Sequence, residues 1–207
     1  MTGKPNAPAS GRNRQPILEV LEIELRDCGS VLEIGSGTGQ HAVFFAEAMP
    51  WLTWQTSDLA ENHLGIRSWM ADARLPNVRD PILLDVQQAK GFSDEYDGVF
   101  SANTAHIMSM PAVRCMFDVA RRLLSDDGVF CLYGPFNEDG EFSSDSNKNF
   151  DRSLRSQDPV MGIRNLEDLD DFADESMMHR ERLYAMPANN MLAVWRKQGM
   201  QKENDDS

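Results

Sequence analysis

The sequence predicts an α/β domain in which a mostly parallel sheet carries helices on both faces and ends in an antiparallel hairpin. Three observations predict it. Short apolar runs alternate with segments of helical period, the pattern of repeated strand–helix–strand units. A set of glycines, Gly35, Gly37 and Gly39, directly follows the first apolar run. Near the C-terminus two extended runs flank Pro187-Ala188-Asn189-Asn190, whose residue types suit a tight turn.

Taken in order, residues 1–14 carry Gly, Pro, Asn and Ser and read as a flexible segment. A helix is expected from Pro16, because the N–H that proline lacks goes unpaired in a first helical turn anyway. Ile17, Val20, Leu21 and Leu25 make its apolar stripe, and Gly29 ends it. Residues 31–34 are the first strand. Ala42, Val43, Phe45, Ala46 and Met49 then recur at helical spacing until Pro50. Strands follow at 51–56, 81–85, 96–102 and 129–133, with helices at 62–73 and 111–124. Residues 134–150 have no clear period and read as a long loop, a length that in a compact domain often carries function. A helix at 165–178 and strands at 182–186 and 191–197 complete a single domain spanning 15–197. The acidic tail, 198–207, reads as disordered.

Size and composition exclude several classes. A chain of 207 residues with 41% apolar content builds one substantial core. No apolar run approaches the roughly 20 residues that cross a bilayer, so no membrane partner is expected. The polar N-terminus has no signal-peptide core. Cys28, Cys115 and Cys131 are far apart, with no zinc-like spacing to any histidine, so no metal site is expected. Free thiols and no leader read as a reducing, cytoplasmic setting. The net charge of −13 argues against a general nucleic-acid partner, whose phosphates attract Lys and Arg. The chain is large enough to fold alone, as a monomer or a homodimer.

The chemistry starts at the glycine loop. Glycines after a buried strand let the backbone turn sharply and approach a ligand, and the next helix adds free N–H donors. A nicotinamide or flavin site ordinarily shows G-x-G-x-x-G, whereas here the third glycine is Gly39 and position 40 is Gln. An acid, Glu33, sits two residues before the first glycine.

The run Val31-Leu32-Glu33-Ile34-Gly35-Ser36-Gly37-Thr38-Gly39 resembles the first motif of class I S-adenosylmethionine-dependent methyltransferases. That resemblance implies a Rossmann-like fold with a seven-stranded sheet, and the cofactor S-adenosylmethionine with S-adenosylhomocysteine as product. It implies that Glu33 and Gly35 to Gly39, with Ser36, Gly37 and Thr38, lie at the methionine part of the cofactor. It also implies that Asp58, followed by Leu59, binds the ribose hydroxyls, that Asp85 and Val86 lie at the adenine, and that Asn103 sits near the transferring methyl. A narrower likeness covers nearly the whole chain. Arg12-Asn13-Arg14-Gln15-Pro16-Ile17, Trp54-Gln55-Thr56-Ser57-Asp58, Ala102-Asn103-Thr104-Ala105-His106-Ile107, Leu132-Tyr133-Gly134-Pro135-Phe136 and Met186-Pro187-Ala188-Asn189-Asn190 are similar to the DUF938, or methyltransferase-like 26, family. Members of that family are assigned as methyltransferases largely by fold. Gln40 stands where Glu is commoner in it.

Methyl transfer needs an aligned nucleophile and a dry site, and a weak nucleophile also needs a base. His106, three residues beyond Asn103, is the candidate base; the alternative is that it only orients water or packs. Tyr133, Phe136, Asn147 and Asn189 are candidate substrate contacts, although Asn189 equally suits a turn. Arg12, Asn13 and Arg14 are either solvated surface or a segment folding over the cofactor to offer a guanidinium to a carboxylate.

Three functions compete. A small-molecule methyltransferase predicts a closed pocket. A protein or RNA methyltransferase predicts an open groove, gains if Arg12, Arg14, Arg67, Arg74 and Arg79 cluster beside the site, and loses because Asn103-Thr104-Ala105-His106 lacks the Asn-Pro-Pro-aromatic pattern of many amino-group methyltransferases. A non-catalytic module is disfavoured by the presence of the glycine loop together with Glu33, Asp58 and Asp85.

Overall fold

The computed structural model describes residues 4–89 and 91–199. The tail expected to be disordered falls, from residue 200 on, outside them. Among the described residues, nine strands and six α-helices follow in the order α1 (Pro8–Glu24), β1 (Ser30–Ile34), α2 (Gln40–Ala48), β2 (Thr53–Asp58), α3 (His63–Ala73), β3 (Val78–Leu83), β4 (Tyr96–Ala102), α4 (Met110–Leu123), β5 (Leu124–Gly134), β6 (Phe136–Asn137), α5 (Asp145–Gln157), β7 (Arg164–Asn165), α6 (Leu166–Glu175), β8 (Met178–Met186) and β9 (Asn190–Lys197).

Seven strands form one sheet in the order β3-β2-β1-β4-β5-β9-β8. The first five pair in parallel, β9 runs antiparallel to β5, and β8 runs antiparallel to β9. This is the expected Rossmann-like architecture, a parallel sheet closed by an antiparallel hairpin. Apolar strands buried on both faces need a helical layer on each side. On one face Ile17 and Leu21 of α1, Leu25 just after it and Phe45 of α2 pack over Val31, Trp54, Phe100 and Val194. On the other, Val113, Phe117 and Ala120 of α4 and Leu166 and Leu169 of α6 cover Leu32, Val99, Phe130 and Trp195. Order reverses between β1 and β4, whose following helices lie on opposite faces. Such a switch point opens a crevice at the strands' carboxyl ends.

Three expectations are corrected. Helix α1 begins at Pro8, so residues 8–14 are helix rather than a flexible segment, and Pro16 lies inside it. Both prolines suit a first turn, but Pro8 takes that position and the helix tolerates the hydrogen bond lost at Pro16. The expected loop at 134–150 contains β6 and the first turns of α5. Ser144 caps that helix by accepting from the Asn147 N–H at 3.1 Å, and its stripe is too polar to show a helical period. Strand β3 ends at Leu83, short of Asp85.

Gly39 precedes α2 at φ +87°, and a Cβ there would lie 2.9 Å from the Ile66 Cα. Left-handed backbone and a backbone clash act together, so Gly39→Ala is expected to lower unfolding free energy by about 2–4 kcal/mol. Urea denaturation measures it, and a loss below about 0.5 kcal/mol, the scatter of ordinary surface changes, contradicts the tight fit.

Candidate active site

A cleft of about 830 Å³ opens at the switch point. Its floor is the turn between β1 and α2, where Gly35, Ser36, Gly37 and Thr38 line it. Gly35 and Gly37 both have positive φ, +74° and +56°. A Cβ on Gly35 would strike Thr104 Cγ2 at 2.6 Å, whereas Gly37 has nothing within 4 Å. The Gly37 backbone is therefore bare toward the cleft. Asp58, at the end of β2, aims its carboxylate at this loop. Its Oδ2 accepts from the Gly37 N–H at 2.6 Å, and its Oδ1 accepts from the Leu59 N–H at 2.7 Å and from Asn62 Nδ2 at 2.8 Å. Ser36 Oγ accepts from the Ser57 N–H at 3.2 Å, joining the loop to β2.

Glu33 lies under the loop rather than on the cleft wall. Trp54 Nε1 donates to its Oε2 at 3.1 Å. Burial pushes its carboxyl up to about 7, with the Trp54 bond opposing. The folded state then holds a proton that the unfolded chain has released, so this group costs stability as pH rises from 4.5 toward 7. Relative to Glu33→Gln, the wild type is expected to lose up to about 3 kcal/mol over that interval. Denaturation of both proteins at pH 5 and pH 8 checks this; equal pH slopes contradict it.

His106 also lines the cleft, buried, with its ring 5.3 Å from that of Phe150. Burial, aided by the Arg164 charge, lowers its pKa to about 4. Its loop is clasped by Arg164, whose Nε donates to the Ala105 carbonyl at 3.0 Å and whose Nη2 donates to the carbonyls of Val160 (2.8 Å) and Met108. The Gly162 N–H donates to the His106 carbonyl at 2.9 Å. Asn103, at the end of β4, lines the cleft at φ +60°, and its N–H donates to the Tyr133 carbonyl at 2.9 Å.

The chain's first described residues fold over this cleft, and Pro5, Ala7, Ala9 and Ser10 line it. Gln40 holds them: its Oε1 accepts from the Ala7 N–H at 2.5 Å and its Nε2 donates to Asn6 Oδ1 at 3.1 Å. Trp69 Nε1 donates to the Pro5 carbonyl at 2.7 Å. His41, also on the wall, meets Asn13 Oδ1 at 2.8 Å, and burial followed by the Arg14 charge lowers its pKa to about 4.

Several expected contacts lie elsewhere. Asp85 does not reach the cleft; its carboxylate accepts from the Gln87 N–H at 2.9 Å and from Gln88 Nε2 at 2.8 Å, closing its own turn. Val86 lines a separate pocket beside α4. Leu59 is exposed beside Asp58. Phe136 is in the core, because β6 turns it inward. Asn189 stands in the hairpin turn at φ +57° with its Nδ2 on Ser146 Oγ, so its neighbours Ala188 and Asn190 line the cleft instead. Asn147 does line it, with Nδ2 donating to the Asn189 carbonyl at 2.9 Å. Arg14 lies over the Phe44 ring, 4.4 Å away, outside the cleft. Arg12, Asn13 and Tyr133 line a smaller lobe of about 350 Å³, which shares Ala9, Asn103, Ala188 and Asn190 with the main cleft.

The sequence marks neither Arg164 nor Glu61, Leu64 and Phe150 on the cleft wall, and the N-terminal strap that folds over the cleft does so at residues 5–10 rather than at Arg12 to Arg14. None lies in a motif, and only Gly162 marked the turn that brings Arg164 inward. Among the described residues no helix is long and apolar enough to cross a membrane, and no cluster of His, Cys, Asp and Glu is arranged to hold a metal.

The family described as "Protein of unknown function (DUF938)" matches residues 4–197, and the chain belongs to it. Solved structures share its fold. An O-methyltransferase family protein from Burkholderia thailandensis superposes with TM-score 0.82 at 15% identity, over 94% of this chain and 59% of that one. Mitomycin 7-O-methyltransferase gives 0.79 at 14%, over 91% and 54%. CalO1, a methyltransferase of calicheamicin biosynthesis solved with S-adenosylhomocysteine bound, gives 0.70 at 14%, over 88% and 55%. The chain thus spans little more than half the length of these proteins.

Proposed function

We propose that this protein is a methyltransferase that uses S-adenosylmethionine, releases S-adenosylhomocysteine, and methylates a small polar acceptor, in line with the methyltransferase-like 26 likeness. One observation carries the reading: the cleft is lined by a bare Gly37 backbone and by a buried neutral imidazole, His106, and the Asp58 carboxylate, behind the lining, fixes Gly37 through its N–H. The residues fit the cofactor. Gly37, exposed on the cleft floor, offers backbone to its methionine part, and Asp58, just behind Gly37, keeps an unused Oδ2 lone pair for a ribose hydroxyl. Asp85 and Val86 have no part in this reading.

When bound, the cofactor supplies an electrophilic methyl on a sulfonium. The chain's residues supply alignment, dryness and a proton acceptor. The strap and α5 wall the cleft, which favours exclusion of water. His106 is unprotonated at neutral pH and accepts the proton of an attacking hydroxyl. That hydroxyl becomes strongly acidic as its new C–O bond forms, so an imidazole with a pKa near 4 remains basic enough.

A small acceptor is favoured over a macromolecule. The cleft volume falls within the roughly 300–1,000 Å³ of small-molecule sites. Arg67 pairs with Asp80 at 2.8 Å, Arg14 lies on Phe44, and neither Arg74 nor Arg79 lines the cleft. NMR titration with S-adenosylhomocysteine tests the reading: the amides of Gly35, Gly37 and Gly39 and of residues 58–62 are expected to shift first. Unshifted glycine-loop amides at saturating ligand contradict it.

A further inference from the structure

The smaller lobe beside the cleft has a composition that sets it apart in this protein. Arg12 is its single charged side chain. Asn13, Asn103, Tyr133 and Asn190 supply the rest of its polar lining, and no carboxylate lines it. In a chain of net charge −13, an arginine facing a carboxylate-free hollow is a selective arrangement. Arg12 takes part in no ion pair or side-chain hydrogen bond among the described residues, unlike Arg67, Arg155, Arg180 and Arg182, each held by an acid. The lobe joins the main cleft through Asn103 and Ala188. Both have left-handed backbone, φ +60° and +59°, and non-glycine residues keep that conformation at a cost commonly met in functional sites.

We propose that this lobe is an anion subsite and that the methyl acceptor is a hydroxylated carboxylic acid whose carboxylate docks on Arg12. The proposal rests on the methyltransferase reading. A guanidinium fork matches a carboxylate with two parallel hydrogen bonds. One guanidinium balances one negative charge, and no second cation lines the lobe for a phosphate dianion. The carboxylate is the acceptor's rather than the cofactor's, because none of Gly35 to Thr38 lines this lobe, and they floor the other. Anchored on Arg12, the acid extends past Asn103 and presents its hydroxyl on the side where His106 stands. Tyr133 and Asn13 offer neutral donors to the second carboxylate oxygen.

The test is calorimetric, with the full chain. Wild type and Arg12→Gln are first titrated with S-adenosylhomocysteine, then, saturated with it, with hydroxybenzoates, short aliphatic hydroxy acids and the primary amide of each. At least one acid is expected to bind the wild type about tenfold to a hundredfold more tightly than its amide, and Arg12→Gln is expected to erase that difference. Affinity for S-adenosylhomocysteine is expected to stay within about twofold in the variant, because Arg12 does not serve the cofactor. The proposal is overturned if no acid binds better than its amide, if the preference survives Arg12→Gln, or if the variant weakens S-adenosylhomocysteine about tenfold. Failure of the wild type to bind S-adenosylhomocysteine rejects the methyltransferase reading by itself; the acid–amide comparison, repeated on the free protein, still decides the anion subsite.

Discussion

His106→Ala is expected to cut turnover about 10²–10⁴-fold, the usual contribution of a positioned general base, with any acceptor the wild type methylates through a hydroxyl. Affinity for S-adenosylhomocysteine is expected to hold, since the imidazole makes no hydrogen bond to the glycine loop or to Asp58 among the described residues. His106 is buried, so truncation also opens a cavity; His106→Gln, which fills most of the space, separates chemistry from packing. A second readout distinguishes a base from a packing residue. Burial and the Arg164 charge hold the imidazole near 4. The acid limb of the turnover–pH profile is therefore expected near pH 4 rather than near 6.5, and it disappears in the variants. Turnover that survives both substitutions removes the base role. The folded state also binds fewer protons at His106 than the unfolded chain does below pH 6.5, so this group costs stability as pH falls from 6.5 toward 4, opposite in sign to Glu33.

Asp58→Ala carries the other large effect. The carboxylate accepts from two backbone N–H groups and one amide, so its removal releases Gly37, Leu59 and Asn62 together. Loss of charged hydrogen bonds to ribose is expected to cost about 1.5–3 kcal/mol, roughly tenfold to a hundredfold in affinity for S-adenosylhomocysteine. Part of that comes from a disordered glycine loop. Asp58→Asn retains one acceptor for the Gly37 N–H and loses the charge, so it isolates the ligand contribution. Full affinity in Asp58→Asn, measured calorimetrically on protein with an unchanged melting temperature, contradicts ribose binding.

The parts of the fold legible in the sequence were those governed by strong local rules. Strand β1 and its glycines, strand β4, helix α4 and the hairpin at 187–190 each combine an apolar period with a turn residue. Helix α5 was hidden because only Phe150 and Leu154 mark its apolar side, although Ser144 followed by Asp145 is a start signal that was present. The start of α1 was ambiguous because two prolines satisfy one rule. The position of Asp58 at the end of β2, beside the glycine loop, was legible because the apolar strand stops there. Asp85 looked equivalent, yet β3 stops two residues earlier and its carboxylate is consumed by its own turn. Phe136 showed the opposite limit: an aromatic residue in an aperiodic stretch entered the core. Arg164 and the strap act through contacts distant in sequence, at separations of 59 for Arg164 to Ala105 and 33 for Ala7 to Gln40, which no local pattern encodes.

The central claim is that the switch-point cleft is built for S-adenosylmethionine rather than for a dinucleotide. Calorimetric titration of the purified chain with S-adenosylmethionine and, separately, with NAD tests it most directly. Binding of S-adenosylmethionine at about micromolar affinity, near −8 kcal/mol, with no heat from NAD, is the predicted result. Binding of NAD, or of neither, contradicts it and removes the roles given to Gly37, Asp58 and His106.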